Sequence, residues 1–166
     1  METTKALRAL GQKIGWGNLF LTTGGFSGFA PVASGTVGTV AAIPVYLLLL
    51  QTGGLGYVIG AALLLWLGIR GANRIEEATQ RQDHGIIVID EIVGFLVTMW
   101  LVPPHWLSLL LGFLAFRVFD IVKPYPARQI DSNPNLKGVG VMMDDVVAGI
   151  YGNLVLQLIM RVFLGY

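Results

Sequence analysis

The sequence predicts an all-α fold: a polytopic membrane helix bundle of about five transmembrane helices, four being the alternative, with its N-terminus in the cytoplasm. Three observations predict it. Of the 166 residues, 54% are hydrophobic and 13% charged, and the mean hydropathy is +0.68, far outside the soluble globular norm. Apolar runs recur at about 37–50, 55–69, 86–102, 106–122 and 146–164, separated by polar or proline-bearing segments. Lysine and arginine fall almost wholly on one side once those runs are threaded back and forth through a bilayer.

The chain opens with Lys5, Arg8 and Lys13, but the following segment is interrupted by Gly15, Gly17, Gly24, Gly25 and Gly28, so it does not read as a signal peptide. Next comes Ala33-Ser34-Gly35-Thr36-Val37-Gly38-Thr39. Glycines and hydroxyls at a helix N-terminus offer free backbone N–H groups to an anion such as phosphate, although small residues also serve membrane helix packing. The first two runs are divided by Gln51-Thr52-Gly53-Gly54, and the second and third by a polar segment at about 70–85. Pro103-Pro104-His105 separates the third from the fourth, which Pro124 and Pro126 terminate, because proline cannot continue a helix. A polar stretch at 123–145 precedes the last run. Several runs rise only about 21–26 Å, short of a hydrocarbon core of about 30 Å, so their polar ends belong at or inside the interface. Trp16, Trp66, Trp100, Trp106, Tyr46, Tyr57 and Tyr166 read as interface anchors or packing. With no internal repeat and no long linker, residues 1–166 are expected to form a single membrane-embedded domain.

Five spans place Lys5, Arg8, Lys13, Arg70, Arg74, Arg81, Lys123, Arg128 and Lys137 on the cytoplasmic side, with Arg117 near that end of its helix and Arg161 toward the other. All ten acidic residues, which did not enter that assignment, fall on the same side. Three polar clusters therefore meet at one membrane face: Asp83-His84 with Asp90-Glu91, then Arg117-Asp120-Lys123, then Asp144-Asp145.

The absence of cysteine excludes disulfides and Cys-ligated metals and leaves oxygen and imidazole donors. A net charge of +1 and the lack of any recognition motif argue against nucleic acid as a partner. An acid inside a membrane helix costs about 2.5–3.5 kcal/mol on insertion scales, so these carboxylates call for a partner. Magnesium, which takes one or two carboxylates plus water or phosphate oxygens, is such a partner. Plainer readings stand beside that one. Helix dipoles favour acids at N-termini, where Asp90-Glu91 and Asp144-Asp145 would sit. Arg117, Asp120 and Lys123, at i, i+3 and i+6, suit ordinary intrahelical ion pairs. His84 has the residue type of a ligand, proton shuttle or leaving-group acid, and equally of a polar interface residue. His105 lies on the far side and stays outside the chemistry.

Taken in order, SGFAPVASGTVGT, DHGIIVIDEIVG, FRVFDIVKPYPARQID and GVGVMMDDVVAGI resemble the bacterial phosphatidylglycerophosphatase A family over about residues 22–152. The resemblance implies a magnesium-dependent, multi-pass phosphatase of the bacterial inner membrane. Such an enzyme hydrolyses the lipid phosphatidylglycerophosphate to phosphatidylglycerol and phosphate in phospholipid biosynthesis, with its active site on the cytoplasmic side. It also implies that Asp83, Asp90, Glu91, Asp144 and Asp145 hold Mg2+, and that Asp83, His84, Asp90, Glu91 and Asp120 are the candidate catalytic groups. Gly35, Thr36, Arg117 and Lys123 would receive the substrate phosphate. The chain departs from the family's usual pattern at Ser34, where proline is usual, at Tyr125, where tryptophan is common, and at Lys137, where glycine is common. Activated water and a covalent aspartyl-phosphate remain alternative routes. A cation transporter and a lipid phosphotransferase remain alternative functions, and the oligomeric state is left open.

Overall fold

The computed structural model describes residues 2–81 and 84–164, and every regular element in them is helical. An N-terminal pair, α1 (Glu2–Ile14) and α2 (Trp16–Thr22), turns at Gly15, whose φ of 88° is readily adopted only by glycine. A 3-10 turn, Ser27–Phe29, leads to α3 (Ser34–Leu50), followed by α4 (Gly53–Thr79), α5 (Ile89–Thr98), α6 (Trp106–Val122), α7 (Ala127–Asp131) and α8 (Gly138–Leu164).

Each of the five apolar runs lies on one of the helices α3, α4, α5, α6 and α8, but the helix bounds differ from the run bounds in an instructive way. α5 has ten residues and rises about 15 Å, half a hydrocarbon core. Its chain turns out at Leu101, which has a φ of 58°, and Pro103-Pro104 prevents helix from resuming before His105. α4 and α8 run instead well into segments that read as polar. Arg, Glu, Ala and Met are strong helix formers, so polarity ends the apolar run without ending the helix. These two helices are long and apolar enough to cross a membrane.

α5 is the axis of the bundle. α3 runs parallel to it, with Gly35 beside Glu91 and the Tyr46 hydroxyl donating to Val102 O at 3.4 Å. α4 runs the opposite way: the Tyr57 hydroxyl donates to Leu96 O at 2.7 Å, and Gly68 packs near Ile89. α8 is parallel again, with Asn153 Nδ2 donating to Thr98 O and Trp100 O at 2.8 and 2.7 Å. α6 returns antiparallel to α8, Ser108 lying beside Met160 and Lys123 beside Asp144. The N-terminal ends of α3, α5 and α8 and the C-terminal ends of α4 and α6 therefore share one end of the molecule.

Packing at the axis depends on small residues. A Cβ on Gly149 would collide with Gly94 O, and one on Gly94 would stand 2.8 Å from Asp145 O, so α5 and α8 approach backbone to backbone. Tyr46, Phe95, Met99, Phe116 and Leu156 fill the space around that contact. Leu47, Leu48, Leu63, Leu114, Ile121 and Leu158 point outward and are exposed. Between helices whose outer faces are this apolar, close packing and dispersion supply the cohesion.

Candidate active site

The first turn of α5 carries Asp90 and Glu91, and the segment leading to it is held from two sides. Val88 N–H donates to Thr22 O at 3.1 Å, and the Ser34 hydroxyl donates to Gly85 O at 2.8 Å. Gly24 and Gly38 sit against the Val88 side chain, where a Cβ would come within 2.8 and 2.6 Å of it, respectively. Asp145 reaches the same spot from α8 because Gly94 lets that helix close in. One carboxylate oxygen from each of Asp90, Glu91 and Asp145 lies within 4.8 Å of the others. Asp90 is 7% exposed and Asp145 3%.

Two cations flank this cluster, each already engaged. Arg117 Nη1 donates to Asp120 Oδ2 at 2.5 Å, one turn along α6. Lys123 is the αL residue that ends α6, and its ammonium bridges Asp144 Oδ2 at 2.6 Å and Asp131 Oδ1 at 2.9 Å. Burial disfavours the Lys123 ammonium, but its hydrogen bonds to Asp144 and Asp131 outweigh that and hold its pKa above the usual lysine range. Asp120 is a charge neighbour of both Glu91 and Asp145. The N-terminus of α3 closes the site. Gly35 is so near that a Cβ there would collide with Glu91 Oε1 and lie 3.1 Å from Arg117 Nη1. Thr36 is half-buried next to it. The first-turn N–H groups of α3 have no partner within their own helix, and among the described residues no N-cap side chain engages them.

Thus the expected residues Asp90, Glu91, Asp145, Asp120, Arg117 and Gly35 converge, while Asp144 is turned to Lys123. Asp83 lies outside the described residues. His84 is half-buried, and its Nδ1 accepts a long hydrogen bond from Ile86 N–H at 3.4 Å. His105 instead caps α6, accepting from Leu107 N–H. The helix-end explanation of the acids holds for Asp90 and Glu91 and fails for Asp144 and Asp145. α8 begins at Gly138, so that pair sits nearly two turns inside it, beyond the reach of the terminal dipole. Asp131 was missed. Its signal was positional: it follows Lys123 after a KPYP turn that folds back, and the Tyr151 hydroxyl pins that turn to α8 through Tyr125 O at 2.9 Å.

The carboxylate trio fits a hard divalent cation. It offers only oxygen donors, one from each residue lying within 4.8 Å of the others, and Glu91 Oε2 is buried with no hydrogen-bond partner among the described residues. Three carboxylates so close, two of them buried and one partly so, otherwise repel one another. An apolar groove of about 360 Å³ between α4, α5 and α8, lined by Tyr57, Val93, Trp100 and Val146 among others, opens elsewhere.

Residues 20–160 match the family model for phosphatidylglycerophosphatase A. The chain is 35% identical over 131 residues to phosphatidylglycerophosphatase A of Escherichia coli K12, covering 78% of this chain and 76% of that one. It is 36% identical to the Haemophilus influenzae Rd protein of the same name, over 81% of this chain and 83% of the other. A Bacteroides thetaiotaomicron protein, named as a candidate phosphatidylinositol-3-phosphatase, is 39% identical over 80% of this chain and 87% of its own. No solved structure matches the chain.

Proposed function

The chain belongs to the phosphatidylglycerophosphatase A family, and from that premise we propose that it hydrolyses the terminal phosphate monoester of phosphatidylglycerophosphate to phosphatidylglycerol and inorganic phosphate. The observation that carries this reading is the convergence of Asp90, Glu91 and Asp145 with Arg117, Lys123 and the N-terminus of α3 at one end of an apolar bundle. In this reading residues 1–166 form one membrane-embedded domain whose helices α3, α4, α5, α6 and α8 are threaded through the bacterial inner membrane, α5 over only part of its thickness. The acidic end faces the cytoplasm, in keeping with the basic residues gathered there.

Asp90, Glu91 and Asp145 would hold magnesium, with Asp144 and Asp83 as further candidates. The ion, when bound, supplies Lewis-acid polarisation of the phosphate and charge neutralisation. The protein's own groups do the rest. Arg117 and Lys123, aimed by Asp120 and Asp131, balance the remaining phosphate charge, and the N–H groups at Gly35 and Thr36 cradle its oxygens. Asp90 accepts the proton of the attacking water, and His84 is the candidate donor to the departing glycerol oxygen. An acyl-anchored substrate presents its phosphate at headgroup depth, and in this reading a short α5 would hold its polar N-terminus there.

The test is phosphate release by the purified protein in detergent, with magnesium, with EDTA, and with Asp90→Asn. Magnesium-dependent turnover lost in the folded variant supports the reading. A folded native protein without turnover on this lipid removes the substrate assignment. The Bacteroides relative gives a specific reason to run phosphatidylinositol 3-phosphate in parallel. Faster turnover of that lipid would move the chain to the second substrate while keeping the site.

A further inference from the structure

Outside the site, one surface is built from side chains that water does not favour and that the described helices leave largely exposed. Trp16 and Phe20, one turn apart on α2, are 49% and 55% exposed, and Phe26 follows in the next turn. They are braced rather than loose. The Trp16 ring lies against Gly11 of α1, where a Cβ would come within 2.8 Å of it, and the Phe20 and Phe26 rings meet edge to face at 5.4 Å. The opposite face of α2 is buried: Leu19 is in the core, and Thr22 packs on Gly71 of α4.

We propose that α2 and the turn after it form a membrane-seating element, with Trp16, Phe20 and Phe26 held in the headgroup–acyl boundary of the leaflet that the acidic site faces. The occupant is lipid for three reasons. Val32, ahead of α3, and Val37 and Val40 on α3 are exposed apolar residues as well. Exposed Arg8 and Lys13 accompany it on α1, complementary to anionic headgroups, and Lys13 donates to Ala78 O at the polar end of α4. Aromatic rings beside cations match the composition of an interfacial helix. Trp16 also lies ahead of the residues matched to the family. Because Thr22 O holds Val88 N–H and Gly24 and Gly28 pack on the segment 86–88, the depth of this row sets the depth of Asp90 and Glu91.

The inference rests on the membrane seating proposed above and not on the phosphatase chemistry. The chain has no cysteine, so Phe20→Cys and, separately, Leu63→Cys on the outer face of α4 each carry a single nitroxide label in phosphatidylglycerol-containing vesicles. Faster relaxation by oxygen than by an aqueous nickel chelate at both positions is the expected result. Lipid exposure at 63 with water exposure at 20 overturns the seating of α2 alone. Water exposure at both overturns the membrane reading with it. Exclusion of both relaxants at 20 means that protein, such as a second copy of this chain, covers the row, and it also overturns the proposal. Should Phe20→Cys not fold, Trp16→Phe serves instead: the native protein is expected to show a blue-shifted emission component, quenched by lipids brominated near the headgroup, that the variant lacks. A component quenched only by aqueous acrylamide overturns the proposal.

Discussion

Replacing Gly35 with alanine adds one methyl group at the tightest approach of α3 to the acids. Helix propensity alone favours the change by about 1 kcal/mol. Against it, a Cβ overlaps Glu91 Oε1 and stands 3.1 and 3.3 Å from the two Arg117 nitrogens, closer than such contacts tolerate. All three atoms are the ends of side chains, so the collision is relieved by moving the carboxylate and guanidinium rather than the backbone. Overpacking of this kind costs about 1–3 kcal/mol, so after the propensity gain the fold loses no more than about 2 kcal/mol. Activity should suffer more, because a group displaced by about 1 Å from a reacting centre lowers turnover about 10²-fold. The assay pairs kcat/KM for magnesium-dependent phosphate release with the thermal midpoint in detergent. Gly85→Ala is the control: a Cβ there meets nothing within 4 Å, so its effect on stability should stay within about 0.5 kcal/mol. Native turnover by a folded Gly35→Ala protein would refute the placement of Glu91 and the α3 N-terminus in the site.

Lys123→Met should leave Asp144, 4% exposed, as an uncompensated buried carboxylate and destabilise the fold by about 3–5 kcal/mol. Asp131→Asn removes only the more exposed partner of that lysine and should cost about 0–1 kcal/mol, so thermal midpoints in the reverse order would contradict the bridge. Gly94→Ala forces a methyl group against the Phe116 ring and to 2.8 Å from Asp145 O, a backbone atom that cannot swing away. It should cost about 1–3 kcal/mol and also weaken the rise in thermal midpoint produced by added magnesium, because it pushes Asp145 away from Asp90. An undiminished magnesium shift would show that the α5–α8 approach does not set the ion site.

The five apolar runs were legible because burial in a bundle and exposure to lipid both select aliphatic side chains, and a helix occupies each run, though α5 fills only Ile89–Thr98 of 86–102. Bounds were not, since α4 continues through Arg70 and Arg74 and α8 begins eight residues before its apolar run. Hydropathy reports the solvent of a helix, not its length. The N-terminal α1 and α2 escaped notice because their glycines read as interruptions, whereas Gly15 makes the turn between two helices. The carboxylates were legible as outliers in apolar sequence. Their pairing was not. That Lys123 would bridge Asp144 and Asp131, and that Asp145 rather than Asp144 would join Asp90 and Glu91, depends on the rotation of α8, which the Gly94–Gly149 contact sets.

The charge balance of the site leads to a last prediction, about binding rather than rate. Six carboxylates, on Asp90, Glu91, Asp120, Asp131, Asp144 and Asp145, stand around two cations, Arg117 and Lys123, and both cations are already paired. A phosphate monoester brings further negative charge into that cluster. At a separation of about 5 Å and an effective dielectric constant of about 20, each unpaired carboxylate would repel one unit of it by about 3 kcal/mol. The N-terminal dipoles of α3 and α5, each worth about half a positive charge, offset only part of this. A divalent ion among Asp90, Glu91 and Asp145 would cancel two of those charges and give the phosphate a cation to bind directly. Magnesium should therefore be needed to bind the substrate as well as to cleave it. With EDTA, a non-hydrolysable phosphonate analogue of the lipid should lose at least about a hundredfold in affinity for the native protein, since 2.7 kcal/mol already corresponds to that factor. Asp145→Asn, which removes one repelling charge, should recover part of the metal-free affinity while lowering the metal-dependent one. Equal affinity with and without the ion would mean that these carboxylates do not face the phosphate, and the assignment of the trio to substrate chemistry would fall.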